Sequence, residues 1–318
     1  MDTRGIDTFV AQTPWPSKIH PSTKLVIRYH DAIPIFHPHQ IKYPAMHQAH
    51  HYRALKMNAK TATFVCTTEA ARSDLLDVVP EAEERSTVIN TSVSPQFYAE
   101  PKTDEQIISI VNRRMSKRPS ASKPIEAPFR YALVVSTIEP RKNHVRLVDA
   151  WERVNRLDPD LSLVVVGSPG WGRGEALKRL RQPISDRRAF HLTQLSTEEL
   201  RSIYSNAEIV VCPSVAEGFD LSGAEAMMCG APVIASDIPV HREVYADAAD
   251  YFDPYVIDEI AMLLYEVTSG PDGAEARERL RAAGANRAKR YTRQVMSDAW
   301  GGFFDDLAAG KFAPTHER

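Results

Sequence analysis

Cysteine is scarce in this 318-residue chain, which holds three: Cys66, Cys212 and Cys229. Odd in number and scattered, with no C-x-x-C pair, they exclude a disulfide framework and read as reduced core side chains of a cytoplasmic protein. Long apolar runs are missing as well. No stretch approaches the eighteen or so apolar residues of a bilayer-spanning helix, and Met1-Asp-Thr-Arg-Gly-Ile-Asp7 lacks the apolar core of a signal peptide. The expectation is a soluble chain of the cytoplasm, with peripheral contact at the inner membrane face left open. An excess of charge of one sign is also absent: 39 Lys and Arg against 41 Asp and Glu leave a net charge of −2, without the basic field of a general nucleic-acid binder. What the chain does have is 43% apolar residues, enough at this length for two cores of ordinary size.

From Tyr131 onward, short apolar runs alternate with amphipathic stretches. Tyr131–Ser136, Leu161–Gly167, Ala189–Leu192, Glu208–Cys212, Pro232–Ala235 and Asp250–Phe252 read as strands. Leu147, Val148, Trp151 and Val154 mark one helix face, and Leu200, Ile203, Tyr204 and Ala207 mark another, begun by a Ser196/Glu199 capping box. Such alternation predicts a doubly wound parallel sheet over residues 127–292, with its ligand beyond the strand C-termini. Residues 1–126 read as a shorter α/β domain with strands at Lys24–Arg28, Ala62–Cys66 and Thr87–Ile89. Between Ala99 and Pro128 the chain turns polar and basic, with Arg113, Arg114, Lys117, Arg118, Lys123 and the prolines 119, 124 and 128, which reads, after a short helix, as a solvated linker in preference to a membrane-binding patch. Residues 293–318 read as a helical tail that packs back toward the N-terminal domain.

The segment V-A-E-G-F-D-L-S-G-A-E-A-M-M-C-G-A-P-V-I-A-S, Val215–Ser236, places Glu217 in a loop after a buried strand and Glu225 in the following helix. A loop entering a helix N-terminus offers unpaired N–H groups and a positive dipole end, which suits a diphosphate, while neighbouring carboxylates suit sugar hydroxyls. Ser136-Thr-Ile-Glu-Pro-Arg141-Lys142-Asn143-His144 places two cations at another strand-to-helix turn, the makings of a clamp for a diphosphate. Gly167-Ser-Pro-Gly170-Trp-Gly172 is a turn at which backbone can approach a ligand.

The first of these segments resembles the E-x7-E signature of the GT4 family of retaining glycosyltransferases, and the match continues through Ala226-Met227, Gly230, Pro232-Val-Ile-Ala235 and Glu243-Val244. Asp220 stands where the family usually has glycine, and Ser222 where it often has proline. An aspartate facing a diphosphate would repel it, so Asp220 is expected to turn away or to cap the helix. Tyr29-His30-Asp31-Ala-Ile-Pro34 is similar to the H-D-x-I-P segment of GT4 mannosyltransferases, and Thr67-Thr-Glu69 with Arg72-Ser-Asp74 resembles the next strand-to-helix junction. The resemblance implies an α/β, GT-B-like fold: two Rossmann-like domains with parallel sheets, the N-terminal one incomplete. A full member carries about three more βα units before the equivalent of His30, so the chain is expected to be a truncated form or to have a reduced acceptor domain.

The resemblance also implies roles. Arg141 and Lys142 would stabilise the leaving diphosphate, Glu217 would hold the transferred sugar, Glu225 the nucleotide ribose, and His30 a sugar hydroxyl. Gly218, Phe219, Leu221, Ser222, Gly167 and Leu192 would border the donor. Transfer would proceed by front-face attack, not through the pair of carboxylates about 5 Å apart that a double displacement uses. Seven of the eleven histidines lie between His20 and His51. His47 and His51 share a helix face, but H-E-x-x-H is absent, and lining an acceptor cleft is the favoured role over metal binding. No metal or cofactor is expected. The expected reaction moves a hexose, mannose above others, from a nucleotide sugar to a glycan or lipid-linked acceptor; the alternatives are a non-catalytic or partner-dependent donor-binding protein and a sugar-nucleotide epimerase.

Overall fold

A computed structural model of the chain describes residues 2–115 and 124–312; Lys117, Arg118, Pro119 and Lys123 of the expected linker lie outside them. The chain divides into two compact units. One holds residues 1–92, 216–219 and 293–318, the other residues 93–215 and 220–292.

In the first unit, β1 (Thr8–Ala11), β2 (Lys24–Tyr29), β3 (Thr63–Cys66) and β4 (Ser86–Val88) form a parallel sheet in that spatial order. Side chains alternate between sheet faces, and both faces here are apolar. Leu25, Ile27 and Tyr29 pack with Leu55, Phe64 and Leu75. Val26 and Val65 pack on the other side with Ile89 and with Phe303 and Leu307 of the helix Arg293–Ala308. β1 was not expected. Its four residues at a sheet edge are too few to show a period.

In the second unit, β5 (Arg130–Val135), β6 (Leu161–Val166), β7 (Ala189–Leu192), β8 (Ile209–Cys212), β9 (Val233–Ser236) and β10 (Ala249–Phe252) run parallel in the order β10-β9-β8-β5-β6-β7. Each lies within a residue of its expected limits. The order of connection reverses between the parallel neighbours β5 and β8, so the loops leaving these two strands part at a topological switch point, where doubly wound sheets bind ligands. The core beneath is aliphatic around a fully buried Trp151, whose indole N–H donates to Leu161 O at 3.0 Å.

The boundary between units differs from the expected division at residue 126. Residues 93–115 belong with the second sheet because their polar groups are satisfied there. Val93 N donates to Tyr291 O at 2.8 Å. Arg201 pairs with Glu100 at 2.5 Å. Arg113 and Arg114, expected in a solvated linker, end the helix Asp104–Arg114 and both contact Glu199 at 2.8 Å.

Candidate functional site

The loop after β5 closes back on the loop after β6. Ser136 N donates to Val166 O, Ile138 N to Ser168 O, and Gly170 N to Ile138 O, each at 3.0 Å. Gly167 sits at φ 155°, and a Cβ there would lie 1.9 Å from Ser136 O. Only glycine permits this approach. Gly167 N in turn donates to Leu192 O at 3.1 Å, which places Gly167 and Leu192 side by side at the C-terminal edge of the sheet.

The cationic turn lies between β5 and the helix His144–Leu157. Asn143 adopts left-handed backbone (φ 57°) at the helix entry, and its amide donates to Pro213 O at 3.1 Å and Pro254 O at 2.8 Å. Val215 N donates to Arg141 O at 2.8 Å. The loops from β5 and β8 are therefore pinned to each other across the switch point. Arg141 contacts Glu139 at 2.8 Å, while the charge of Lys142 acts on both Asp220 and His144. His144 is buried, with Nε2 3.2 Å from Ser136 Oγ. Burial, then the Lys142 and His191 charges, push its pKa down to about 3, so it stays neutral beside the cations.

Asp220 is the N-cap of the helix Leu221–Met228. Its backbone is left-handed, φ 62°, which accounts for the glycine that the resembling family usually carries there. The carboxylate is turned inward and buried. It accepts from Ser222 N at 3.3 Å, Ser222 Oγ at 2.6 Å and Tyr245 Oη at 2.8 Å, and His241 Nε2 lies 3.1 Å away. Burial alone would raise its pKa, but the His241 contact, the charges of His241 and Lys142 and the Ser222 bond hold it well below the usual carboxylate range. Nδ1 of His241 is anchored to Ser236 Oγ at 2.9 Å, and Ser236 Oγ donates to Ser214 O. A carboxylate that would oppose an anion is thus turned inward and held by hydrogen bonds inside the protein.

Glu225, in the second turn of the same helix, accepts from Tyr204 Oη at 3.2 Å. Burial pushes its pKa up to about 7, against the Tyr204 bond and with a further rise from Asp220. Leu221 is exposed and Ser222 half-buried at the helix entry.

In the first unit, His30 follows β2 and Thr67 and Thr68 follow β3. The Thr67 hydroxyl lies 2.9 Å from His30 O and 3.0 Å from Gly218 O, and Thr68 Oγ1 donates to Gly218 O at 3.1 Å. A Cβ on Gly218 would fall 2.3 Å from His30 O, so the Glu217-Gly218-Phe219 backbone rests directly on the His30 strand end. Desolvation and the Arg28 charge keep the His30 pKa below its ordinary value. The expected residues thus form two groups: Arg141, Lys142, Leu221, Ser222, Glu225, Gly167 and Leu192 in the second unit, and His30, Glu217, Gly218 and Phe219 in the first.

His47 and His50 are exposed on the helix Pro44–Asn58, and His51 Nε2 lies 3.4 Å from Tyr29 Oη. Among the described residues no three His, Cys, Asp or Glu side chains are grouped to hold a metal ion. Sequence reasoning missed His241 and the hydroxyls of Tyr204 and Tyr245. The signal for His241 was a histidine three residues after Ile238 at the start of a helix, a place where a buried partner for Asp220 could have been sought.

Over 146 residues the chain is 34% identical to the serotype-specific mannosyltransferase WbdA of Escherichia coli, covering 44% of this chain and 18% of that one. It therefore spans less than a fifth of that relative's length. Sucrose-phosphate synthase from Thermosynechococcus elongatus superimposes with a TM-score of 0.72 at 21% identity, over 91% of this chain and 69% of its own. Anabaena Alr3699/HepE, in complex with UDP-glucose, superimposes with a TM-score of 0.69 at 18% identity, over 90% and 73%. At such identities the likeness is one of fold, that of GT-B glycosyltransferases. The glycosyl transferases group 1 family matches residues 115–287, more than half of the chain and every element of the switch-point site, and the chain belongs to that family.

Proposed function

We propose that the protein is a retaining glycosyltransferase that moves a hexose, most favourably mannose, from a nucleoside-diphosphate sugar to a glycan or lipid-linked acceptor. The observation that carries this reading is the meeting, at the switch point of the six-stranded sheet, of the Arg141-Lys142 turn with the capped N-terminus of Leu221–Met228, where the Lys142 charge acts on Asp220, followed one turn on by the half-buried Glu225. A cation turn and a helix N-terminus favour the charge that builds on a departing diphosphate, and fixed charges in a partly dry site need no reorganisation as the bond breaks. Glu225 suits the ribose hydroxyls, with Tyr204 fixing its rotamer. Glu217 and His30 suit the hydroxyls of the transferred sugar. The diphosphate itself takes the acceptor proton, so no side-chain base is assigned.

Mannose is favoured by the WbdA relative, and a nucleotide-sugar donor by the UDP-glucose complex of HepE. A thermal-shift panel of GDP- and UDP-sugars, run with and without chelator, tests the reading. A ligand at a hundred times its Kd stabilises by about 2.7 kcal/mol. Stabilisation by one nucleotide class that survives chelation is expected; no response to any member of the panel would overturn the reading.

A further inference from the structure

Between Asp31 and Glu69 the chain contains no acidic residue, yet it carries Lys42, Arg53, Lys56 and Lys60. This stretch includes the helix Pro44–Asn58, whose inward side is fixed by Ala54, Leu55 and Asn58. Its outward side is not an ordinary charged surface. Tyr43 is 59% exposed, Met46 60%, Tyr52 49% and Met57 39%, with Phe36 of the preceding turn at 44%. None of the four cations makes an ion pair among the described residues. Instead Lys42 Nζ lies 4.7 Å from the centre of the Tyr43 ring and Lys56 Nζ 5.8 Å from that of Tyr52. Arg113 and Arg114 behave differently, since both pair with Glu199.

From this we infer that the outward face of the helix Pro44–Asn58 docks the protein on an anionic lipid surface. Charge complementarity selects the occupant: every formal charge on the face is positive, and between the cations lie exposed tyrosines, whose amphipathic rings settle at headgroup depth, and exposed methionines, which offer apolar surface, while Lys and Arg stems reach outward to phosphate. A soluble acidic partner would use the cations but leave Met46 and Tyr52 without a role. The inference deepens the proposed function and rests on it for its purpose only, because a lipid-linked acceptor is reached from a lipid surface.

The test is flotation of the full chain with phosphatidylcholine vesicles that are either pure or contain about one third phosphatidylglycerol. Binding to the anionic vesicles alone is expected, weakened by salt. The triple variant Lys42→Gln, Arg53→Gln, Lys56→Gln should lose about fivefold in partitioning for each cation removed, and Met46→Ser with Tyr52→Ser should also weaken binding. Nucleoside-diphosphate affinity, measured on the same samples, should be unchanged in all variants; it reports on folding and on the donor reading separately from docking. Failure of the unaltered chain to float with anionic vesicles, or equal flotation of the triple variant, would overturn the inference. So would equal binding to a soluble polyanion that the Met46 and Tyr52 changes leave intact.

Discussion

Replacing Lys142 with alanine removes a cation whose charge acts on the buried Asp220 carboxylate, at the turn pinned to the loop before Leu221–Met228. If this cation stabilises the departing diphosphate, turnover should fall by roughly two to three decades, as for loss of one preorganised charge-stabilising group. Steady-state kinetics with the saturating donor checks this, and unchanged turnover would remove Lys142 from the chemistry. Glu225 gives a pH-dependent expectation. Its pKa is raised from 4.5 to about 7 by burial first, so the folded state binds a proton that the unfolded chain has already released. Stability from this group is therefore complete below about 4.5 and is lost as pH rises through about 7. Nucleotide binding should run the other way, since the ionised carboxylate is the better acceptor for ribose hydroxyls. Calorimetry with a nucleoside diphosphate should show affinity rising between pH ~6 and ~8, with a flatter profile and weaker binding in Glu225→Gln. A steeper profile in the variant would refute the assignment. Glu217→Gln should slow transfer while leaving nucleotide affinity near its original value.

Among elements, the helix Thr197–Ser205 shows how local sequence and tertiary charge combine. Ser196 Oγ accepts from Glu199 N at 3.2 Å, and Ser196 N donates to the Glu199 carboxylate at 2.8 Å. This box was legible because both partners lie three residues apart. The two arginines that also bind Glu199 were not, because nothing local links residues 113 and 114 to 199. Burial would raise the Glu199 pKa, but Arg114, the Ser196 amide and Arg113 bring it down to about 2. Stability from this carboxylate is thus present above its ordinary 4.5 and lost as pH falls toward 2. Glu199→Gln should destabilise by about 1–3 kcal/mol at neutral pH, with the gap to the unaltered chain closing in acid. Urea melts across that range check it; a gap that persists at low pH would place the stabilisation elsewhere. The helix Leu221–Met228 teaches a related lesson. Its aspartate was expected to cap the helix or to turn away, whereas His241, its buried partner at 3.1 Å, comes from the helix after β9 and is visible only once the strands are in order.

At the scale of the molecule, the second sheet was readable strand by strand because buried parallel strands are short, β-branched runs separated by amphipathic helices. The unit boundaries were less so. Polar, proline-rich composition suggested a linker from Ala99, but residues 93–115 satisfy their hydrogen bonds on the second sheet. Ala216–Phe219, continuous in sequence with the second sheet, belong with the first unit because Gly218 fits against His30 O and the Thr67 and Thr68 hydroxyls. Candidate donor residues could thus be proposed from motifs, while their partition between units could not. The central claim is retaining transfer from a nucleotide sugar, and proton NMR of the product formed by the full chain, followed in the presence of chelator, tests it most directly. The account predicts a glycoside with the anomeric configuration of the donor and a signal that collapses in Lys142→Ala; an inverted product, or donor bound with no product from any glycan or lipid-linked acceptor, would contradict it.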